Sequence, residues 1–332
     1  MKKRISWCLL LGLFLLMAVL DLCLGNVRLP LGDVLDALWG KAGVIASEIV
    51  RNYRLPKLCT AILAGSALSV AGLMMQTLFR NPLAGPDVLG INAGASLGVA
   101  LLTMSVSWCG GYALGTGSWP LVLAAVLGAA LVLLLVLWVS ARVPDLVSLL
   151  IVGMMFGYLA GSLVSLLQSV SQPETLKLFV VWTFGSLSSV SWPMMPVLLA
   201  LVLTGCVMAF WMSKPMDLLL LGDAQARSLG VPVQRTRFWM IVATALLAGG
   251  VTAFTGPIAF VGITVPHLAR GLFRTWTHRQ LLPACILCGS CLMLLCDTVS
   301  QLPVFHASFP INSVTALAGA PVIVWILLRR QR

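Results

Sequence analysis

Long apolar runs, separated by short segments that carry charges, prolines or glycines, make up nearly the whole chain. Most of the ten runs reach the roughly 17 to 25 residues that a helix needs to cross the hydrocarbon core of a bilayer. The ten predicted spans are Ile5 to Leu24, Pro56 to Phe79, Leu89 to Val106, Pro120 to Val139, Leu146 to Val170, Met194 to Met212, Phe238 to Phe254, Ile258 to Leu272, Leu281 to Thr298 and Ile311 to Leu328. The pattern predicts an all-α polytopic membrane protein in which residues 1–332 form one transmembrane domain.

Composition agrees with this interpretation. Hydrophobic residues make up 60% of the chain and the mean hydropathy is +1.02, whereas soluble domains are roughly 45 to 50% apolar. The N-terminal MKKR followed by an apolar run resembles a signal peptide. However, the run is longer than a signal-peptide core and no small-residue cleavage site follows it. We therefore interpret it as an uncleaved first span.

Basic residues predict the orientation. If the N-terminus is cytoplasmic, 15 of the 21 Lys and Arg residues fall on the cytoplasmic side of the predicted spans and six fall outside. Cytoplasmic loops carry this excess in membrane proteins, so both termini are expected in the cytoplasm. The formal charge of +11 then reflects topology, and no nucleic-acid partner is expected.

One polar segment, KPMDLLLLGDAQARSLGVPVQRTR at 214–237, divides the chain into 1–213 and 238–332. We call residues 214–237 the knob. Asp217 is predicted to cap a first short helix that Gly222 breaks, and Asp223 to Leu229 is predicted as a second helix that ends at Gly230. The pattern alone also fits an ordinary basic loop between two spans.

Two polar features lie at the opposite side of the predicted membrane domain. Arg54 and Lys57 flank Pro56 at the mouth of the second span, where they serve either as interfacial anchors or as a contact for an acidic partner. Asp297 is the only acid well inside a predicted span, and buried ionisable groups are functional candidates by default. Because Asp297 is near the outer end of its helix, a hydrated position is the alternative.

Glycine spacing predicts close helix contacts. Gly153, Gly157 and Gly161 form one stripe on the fifth span, which favours tight packing within the chain or across a dimer. Residues 62–72 (ILAGSALSVAG) and 246–256 (LLAGGVTAFTG) share Leu, Ala and Gly in register but run in opposite directions across the membrane. They indicate two halves related as inverted repeats, which is a transporter architecture.

Metal and catalytic sites are not expected from the sequence. Cys285, Cys288 and Cys291 have the spacing of iron–sulfur ligands, but they sit inside an apolar helix and are interpreted as packing residues. Cys109 and Cys23 alone face the outside, so no disulfide framework is predicted. His267, after Pro266 in a short eighth span, is interpreted as structural. The three histidines are scattered, so a membrane enzyme is a remote alternative, as is an ion-coupled secondary transporter with Asp297 as its one buried acid.

Several motifs together resemble the FecCD family, the permeases of binding-protein-dependent ABC importers for ferric siderophores, haem and cobalamin. They are RLPK at 54–57, LFRNPLAGPDVLGINAGASLG at 78–98, LGDAQARSLGV at 221–231, GPIAFVGITVPHLAR at 256–270 and LAGAPVIVWILLRR at 317–330. The resemblance covers nearly the whole chain. It implies a type II importer permease with ten helices, in the bacterial inner membrane and paired with a second permease copy as a homodimer or heterodimer.

The resemblance also implies roles for individual residues. Part of the knob matches the coupling helices that dock on a cytoplasmic ATP-binding subunit. The predicted ATPase-docking residues are Gly222, Asp223, Ala226, Arg227, Leu229 and Gly230. Arg54 and Lys57 match the outer cations that meet an extracytoplasmic substrate-binding protein, and the position of a third such cation is Gln301. The translocation path and dimer interface would include Gly153, Gly157, Gly161, Leu146 and Val147.

The implied mechanism is alternating access driven by a partner. The chain has no G-x-x-x-x-G-K-[ST] phosphate loop, so ATP and Mg²⁺ are expected on the separate ATPase, with no cofactor or metal on this chain. The cargo is expected to be a ferric siderophore or haem, with cobalamin as the alternative. Asp145 to Val147 departs from the small hydroxyl residues expected in cobalamin permeases, which slightly disfavours that cargo.

Overall fold

Helices at the positions of the apolar runs form the membrane domain. The computed structural model describes residues 2–25, 29–105, 118–143, 145–302 and 309–330, and no strand occurs among them. The helices are α1 (Lys2–Cys23), α2 (Leu31–Trp39), α3 (Val44–Glu48), α4 (Leu55–Leu78), α5 (Ile91–Ser105), α6 (Ser118–Ser140), α7 (Leu146–Ser169), α8 (Pro173–Thr183), α9 (Met195–Trp211), α10 (Ser213–Leu219), α11 (Asp223–Ser228), α12 (Val233–Thr244), α13 (Gly250–Thr255), α14 (Val261–Phe273), α15 (His278–Ser300) and α16 (Ile311–Arg330). The predicted all-helical membrane fold is confirmed.

Each of the ten predicted spans coincides with one helix or with the continuous pair α12–α13. Within the described ranges, six helices are long and apolar enough to cross a membrane, and the bent pair α9–α10 brings the number to seven. The other predicted spans correspond to α5, with 15 described residues, α14, with 13, and α16, with 20. Pro266 interrupts the hydrogen-bond series of α14, as expected where a short helix lines a cavity.

The second span begins earlier than Pro56. A π-helical segment, Ile49–Arg54, joins α3 to α4, so that 44–78 is one continuous helix of 35 residues. Pro56 has no backbone N–H to donate, and the wider π turn directly before it changes the hydrogen-bond series at that point. The predicted outer segment 26–57 therefore contains helices α2 and α3 and the first turns of the long helix.

The core surrounds α4. Of the most apolar 18-residue stretch of the 44–78 helix, 83% is buried, against 22% for α7 and 28% for α6. α4 packs against α9, α12, α14 and α15, while α6 and α7 leave most of their apolar surface uncovered by the chain. The central position of α4 therefore makes it the main structural support of the domain.

The two repeat sequences occupy comparable positions with opposite directions. The first lies in α4, which ends beside the knob, where the Nε of Arg80 donates to the Leu219 carbonyl at 3.0 Å. The second lies in the π-helical segment Ala245–Gly249 and α13, which ends at the opposite end of the bundle near Ser189. In each half the residue before the next helix has a left-handed backbone, Gly90 after α4 and Phe260 after α13. This antiparallel arrangement agrees with inverted repeats.

Candidate functional site

The knob consists of two short helices that leave the membrane domain at a sharp angle. α9 and α10 meet at 55°, and Gly222 separates α10 from α11 with a φ of 113°. Gly230 follows α11 with a φ of 84°. Both values lie in the region that favours glycine, so these two glycines fix the turns that shape the knob, as the sequence predicted.

Asp223 holds the two short helices of the knob in place. Its two carboxylate oxygens each accept a hydrogen bond from an arginine, Arg80 beyond the end of α4 and Arg237 in α12. Arg80 also donates to the carbonyl of Leu219, the last residue of α10. These ionic hydrogen bonds are stronger than neutral ones, and they hold α10 and α11 against two different helices of the bundle.

Asp217 has a different role from the predicted one. It does not cap its own helix, since it lies inside α10. Its carboxylate instead accepts from the backbone N–H of His278 at 2.8 Å and from the His278 Nδ1 at 2.6 Å. Burial opposes its ionisation, but the bonds from His278 outweigh this effect and hold the pKa of Asp217 below its usual value. Asp217 thereby caps the N-terminus of α15.

The surface of the knob is more apolar than the predicted docking set suggests. Leu221 is 56% exposed and Leu229 is 57% exposed, with Arg227 exposed beside them. Ala226, by contrast, is fully buried within the knob. We therefore correct its assignment from a docking residue to a packing residue, because a side chain with no accessible surface cannot meet a partner in this conformation.

A concavity in the surface of the knob was not foreseen from the sequence. It has a volume of about 540 Å³ and is lined by Arg227 and by residues 231–235 at the start of α12. Sequence signals for it existed, since Pro232 directly precedes the helix and Arg235 lies in the first turn. The surface of the knob therefore has two parts, a convex part with the exposed Leu221 and Leu229 and this concavity.

The opposite end of the bundle, which we call the far end, carries a second concave feature. Arg54, Lys57 and Gln301 come together there, as predicted from their separate positions in the sequence. They line a pocket of about 360 Å³ whose lining also includes Gly25, Ile49, Asn52, Tyr53, Ser188, Val190 and Ser191. We call this the far-end pocket. Its walls come from the 44–78 helix, the segment after α8 and the residues that directly follow α1 and α15.

The cations of the far-end pocket have carboxylate and carbonyl partners within the chain. The Nζ of Lys57 lies 2.9 Å from the Oδ1 of Asp297, and the Asp297 side chain is 2% exposed. Arg54 donates to the carbonyl of Leu22 and is mostly buried. Asp297 is therefore not hydrated, as the alternative interpretation held, but is the buried counterion of Lys57. Its burial could not be inferred from its position near the end of the helix.

Gln301 bridges two acids at the base of this pocket. Its Nε2 donates to the Oδ2 of Asp297 at 2.9 Å and lies 3.4 Å from the Oδ1 of Asp21 in α1. Asp21 is buried as well. A neutral amide thus stands where the family resemblance places a cation, and it is held inward by Asp21 and Asp297.

The glycine stripe of α7 packs inside the chain. A Cβ at Gly153 would approach the Val88 carbonyl to 2.5 Å, and Gly157 lies against Gly90. Gly161 has no neighbour within 4 Å. Gly153 and Gly157 are therefore contacts between α7 and the 86–90 turn, which is the within-chain alternative for the stripe. Their predicted place at the translocation path or dimer interface stays a prediction. Of the two residues at the start of α7, Leu146 is half-buried and Val147 is 64% exposed.

A wide apolar face of α7 remains uncovered by the chain. Its exposed large residues are Val147, Ile151, Met155, Tyr158, Leu159, Leu163 and Leu166. Contiguous apolar surface of this kind marks a contact with lipid or with another subunit.

The remaining chemical candidates are packing residues. Cys285, Cys288 and Cys291 are buried along α15, and no three metal-binding side chains come together anywhere in the described ranges. The Nε2 of His267 lies 2.8 Å from the Pro82 carbonyl, which fits its structural interpretation. Cys109 and His306 lie outside the described residues.

Comparisons with known proteins identify the family to which the chain is similar over nearly its whole length. Residues 13–329 match the FecCD transport family. Vitamin B12 import system permease proteins BtuC from Salmonella paratyphi A and from Shigella boydii serotype 18 are each 34% identical over 100% of this chain and 97% of their own length. A solved structure described as an inward-facing conformation of a metal-chelate type ABC transporter has a TM-score of 0.84 and 28% identity, and the match covers 98% of this chain and 99% of that chain.

Proposed function

Since the chain belongs to the FecCD transport family, we propose that this ABC-importer permease passes a metal chelate through the membrane by working with a separate ATP-binding subunit, a binding protein and a second copy of itself. The single observation that carries the proposal is the knob, an apolar protrusion fixed by ionic bonds at one end of an all-helical membrane domain. A loop that only joined two spans would need neither its exposed leucines nor its ionic attachment.

The knob is the proposed docking site for the ATP-binding subunit. Leu221 and Leu229 supply apolar contact area, Arg227 lies between them in the sequence, and the 540 Å³ concavity can receive a side chain of the partner. Gly222, Asp223 and Gly230 act indirectly, by holding the shape of the knob. ATP and Mg²⁺ are bound by the partner, and motion of the partner is delivered to the membrane domain through the knob.

The orientation follows from this assignment. The knob and both termini are proposed to lie in the cytoplasm of a bacterial cell, with the far-end pocket on the outer side of the inner membrane. The basic residues support this arrangement, because 15 of 21 lie on the knob side of the predicted spans.

The far-end pocket is the proposed contact for the substrate-binding protein. Tyr53 is 68% exposed at its rim, while Lys57 is neutralised by Asp297 and Gln301 carries no charge. The family resemblance places three cations here, but in this chain one position is neutral and Lys57 is paired. An acidic surface of the binding protein would therefore meet less positive charge than three unpaired cations would provide. Docking is therefore expected to depend on shape and hydrogen bonds, and to weaken little when the salt concentration rises.

A second permease copy is proposed to cover the exposed face of α7. In a pair of copies, two such faces would enclose a path lined by Val147 and other apolar side chains. Weak apolar contacts suit a large cargo that must leave as easily as it enters. Alternating access would then arise from changes in the packing of α7 against its surroundings.

The chemical class of the cargo is a metal chelate. A ferric siderophore or haem is one candidate, and cobalamin is the second. Cobalamin is favoured by a specific observation, namely the full-length similarity to vitamin B12 permeases. Transport of radiolabelled cyanocobalamin, haem and a ferric hydroxamate by the reconstituted complex would distinguish them, since only the true cargo should accumulate with ATP and not with ADP.

Substitution of Leu229 by Asp tests the docking assignment. A charge at the centre of an apolar contact is expected to weaken binding of the ATP-binding subunit at least about 30-fold, corresponding to about 2 kcal/mol. The measurement is the dissociation constant between the permease in nanodiscs and the purified ATPase. The matched control is Leu229→Met, which keeps the apolar contact and should bind like the wild type. Equal affinity for the two variants would show that the knob is not the docking site.

A further inference from the structure

Polar contacts join α4 and α15 along their whole length. In the middle, the Oγ atoms of Ser66 and Ser290 are 3.0 Å apart, and the Ser69 Oγ donates to the Cys285 carbonyl at 2.8 Å. These bonds are buried in an apolar region, where no water is available to replace them. Each therefore resists separation of the two helices.

Backbone contact reinforces the same pair. A Cβ on Gly65 would overlap the Gly289 carbonyl, and a Cβ on Gly289 would overlap the Gly65 carbonyl. The two backbones are thus in direct contact, with no flexible side chain between them to absorb a shift. Close-packed interfaces of this kind move as units or jump between discrete arrangements, and they do not deform gradually.

Both ends of the pair are linked by polar side chains. At the far end, Lys57 of α4 pairs with Asp297 of α15 at 2.9 Å. At the knob end, the Oγ1 of Thr77 in α4 lies 2.7 Å from the Nε2 of His278 in α15, and His278 is 1% exposed. Four levels of contact, two in the middle and one at each end, therefore hold the helices together.

The knob is attached to this pair at two points. Asp217 of α10 accepts two hydrogen bonds from His278 at the start of α15. Arg80, just beyond the end of α4, donates to Leu219 and pairs with Asp223. Asp217, His278 and Thr77 thus form a continuous hydrogen-bonded chain from the knob through α15 to α4.

We infer that α4 and α15 form one rigid helix pair that carries displacement of the knob to the far-end pocket, with Asp217 and His278 as the positioning residues that connect the knob to it. The inference rests on the proposed function of the knob as the ATPase-docking element. At the far end of the same pair, Lys57 of α4, Arg54 directly before α4 and Gln301 directly after α15 line the pocket. A conformational change of the ATP-binding subunit would therefore displace the knob and, through α4 and α15, the far-end pocket that is proposed to contact the binding protein.

Hydrogen–deuterium exchange of the full complex tests this inference. The permease and its ATP-binding subunit in nanodiscs are compared without nucleotide and after trapping with ATP and vanadate. In the wild type, trapping should change exchange at 220–230 in the knob and at 49–54 beside the far-end pocket. Asp217→Ala should keep the change in the knob and reduce the change at 49–54 at least twofold. Adding Arg80→Ala should remove the remainder.

Two variants separate transmission from general stability. Asp217→Asn keeps an oxygen that can accept from His278, so it should restore the response at 49–54. Thr252→Val removes a hydrogen bond of 2.8 Å from Thr252 to Asn92, outside the pair, and should leave the response unchanged. A full response at 49–54 in Asp217→Ala with Arg80→Ala, or an equal loss in Thr252→Val, would overturn the inference. Failure of the wild type to bind any ATP-binding subunit would instead contradict the proposed function.

A reversible cross-link provides an independent measurement if the knob variants do not assemble. Ser66→Cys with Ser290→Cys places two thiols where hydroxyl oxygens are 3.0 Å apart. If the pair moves as a unit, oxidation to a disulfide should leave the ATPase rate of the complex within twofold of the reduced sample. A tenfold loss on oxidation, recovered with dithiothreitol, would show that the two helices must slide past each other, and the inference would be wrong.

Discussion

Valine in place of Gly65 is expected to destabilise the membrane domain strongly. The Cβ would overlap the Gly289 carbonyl, and the neighbouring atoms belong to backbone that is held by further contacts between α4 and α15. Overpacking of a core costs about 1 to 3 kcal/mol when side chains can adjust. Here only backbone could move, so a loss above about 3 kcal/mol in the free energy of unfolding is expected.

Titration with sodium dodecyl sulfate in mixed micelles measures this loss, with helicity as the signal. Gly12→Val is the matched control, because Gly12 lies in a membrane helix and has no atom within 4 Å of the position of a Cβ. The control should unfold at the same detergent fraction as the wild type. A Gly65→Val protein with an unchanged unfolding midpoint would show that α4 and α15 are farther apart than the structure places them.

Methionine in place of Lys57 is expected to destabilise the protein by about 3 to 5 kcal/mol, the usual cost of removing one partner from a buried ion pair. The substitution keeps the length and volume of the side chain but leaves Asp297, whose side chain is 2% exposed, without its cation. Gln301 and Thr298 would remain near the carboxylates, but neutral hydrogen bonds do not replace a charge partner at 2.9 Å.

A double substitution gives the decisive comparison for this ion pair. Lys57→Met together with Asp297→Leu removes both charges and should recover most of the stability that Lys57→Met loses, because buried pairs are often replaceable by apolar residues. The free energies of unfolding of the two single variants and the double variant form a thermodynamic cycle. If the two single effects simply add in the double variant, Lys57 and Asp297 are not paired.

Local sequence patterns predicted the elements of this fold well, because each depends on neighbouring residues. The apolar runs placed ten helical segments, and Gly222 and Gly230 marked turns whose backbone angles do favour glycine. The knob was predicted as two helices for the same reason. Its boundaries were correct to within a few residues.

Contacts between distant residues could not be predicted in this way. The stripe containing Gly153 correctly indicated a close approach but not the surface approached, which is the 86–90 turn. Asp217 was assigned to its own helix because its partner His278 is 61 residues away. Ala226 was placed in the docking set by the family resemblance, and a helix of one or two turns gives no periodicity from which its buried side could have been identified.

The π-helical segment Ile49–Arg54 sets the angular position of everything that precedes it. Each residue added to or removed from a helix turns the remainder by about 100°, and a π turn accommodates one residue more than an α turn. A deletion of one residue here could convert the segment to regular α-helix without breaking it. Helices α2 and α3, including the Ala37 and Leu38 carbonyls that now accept from Arg51, would then lie at a different angle around the axis of α4. The one extra residue in this π turn thus determines on which side of the domain α2 and α3 lie.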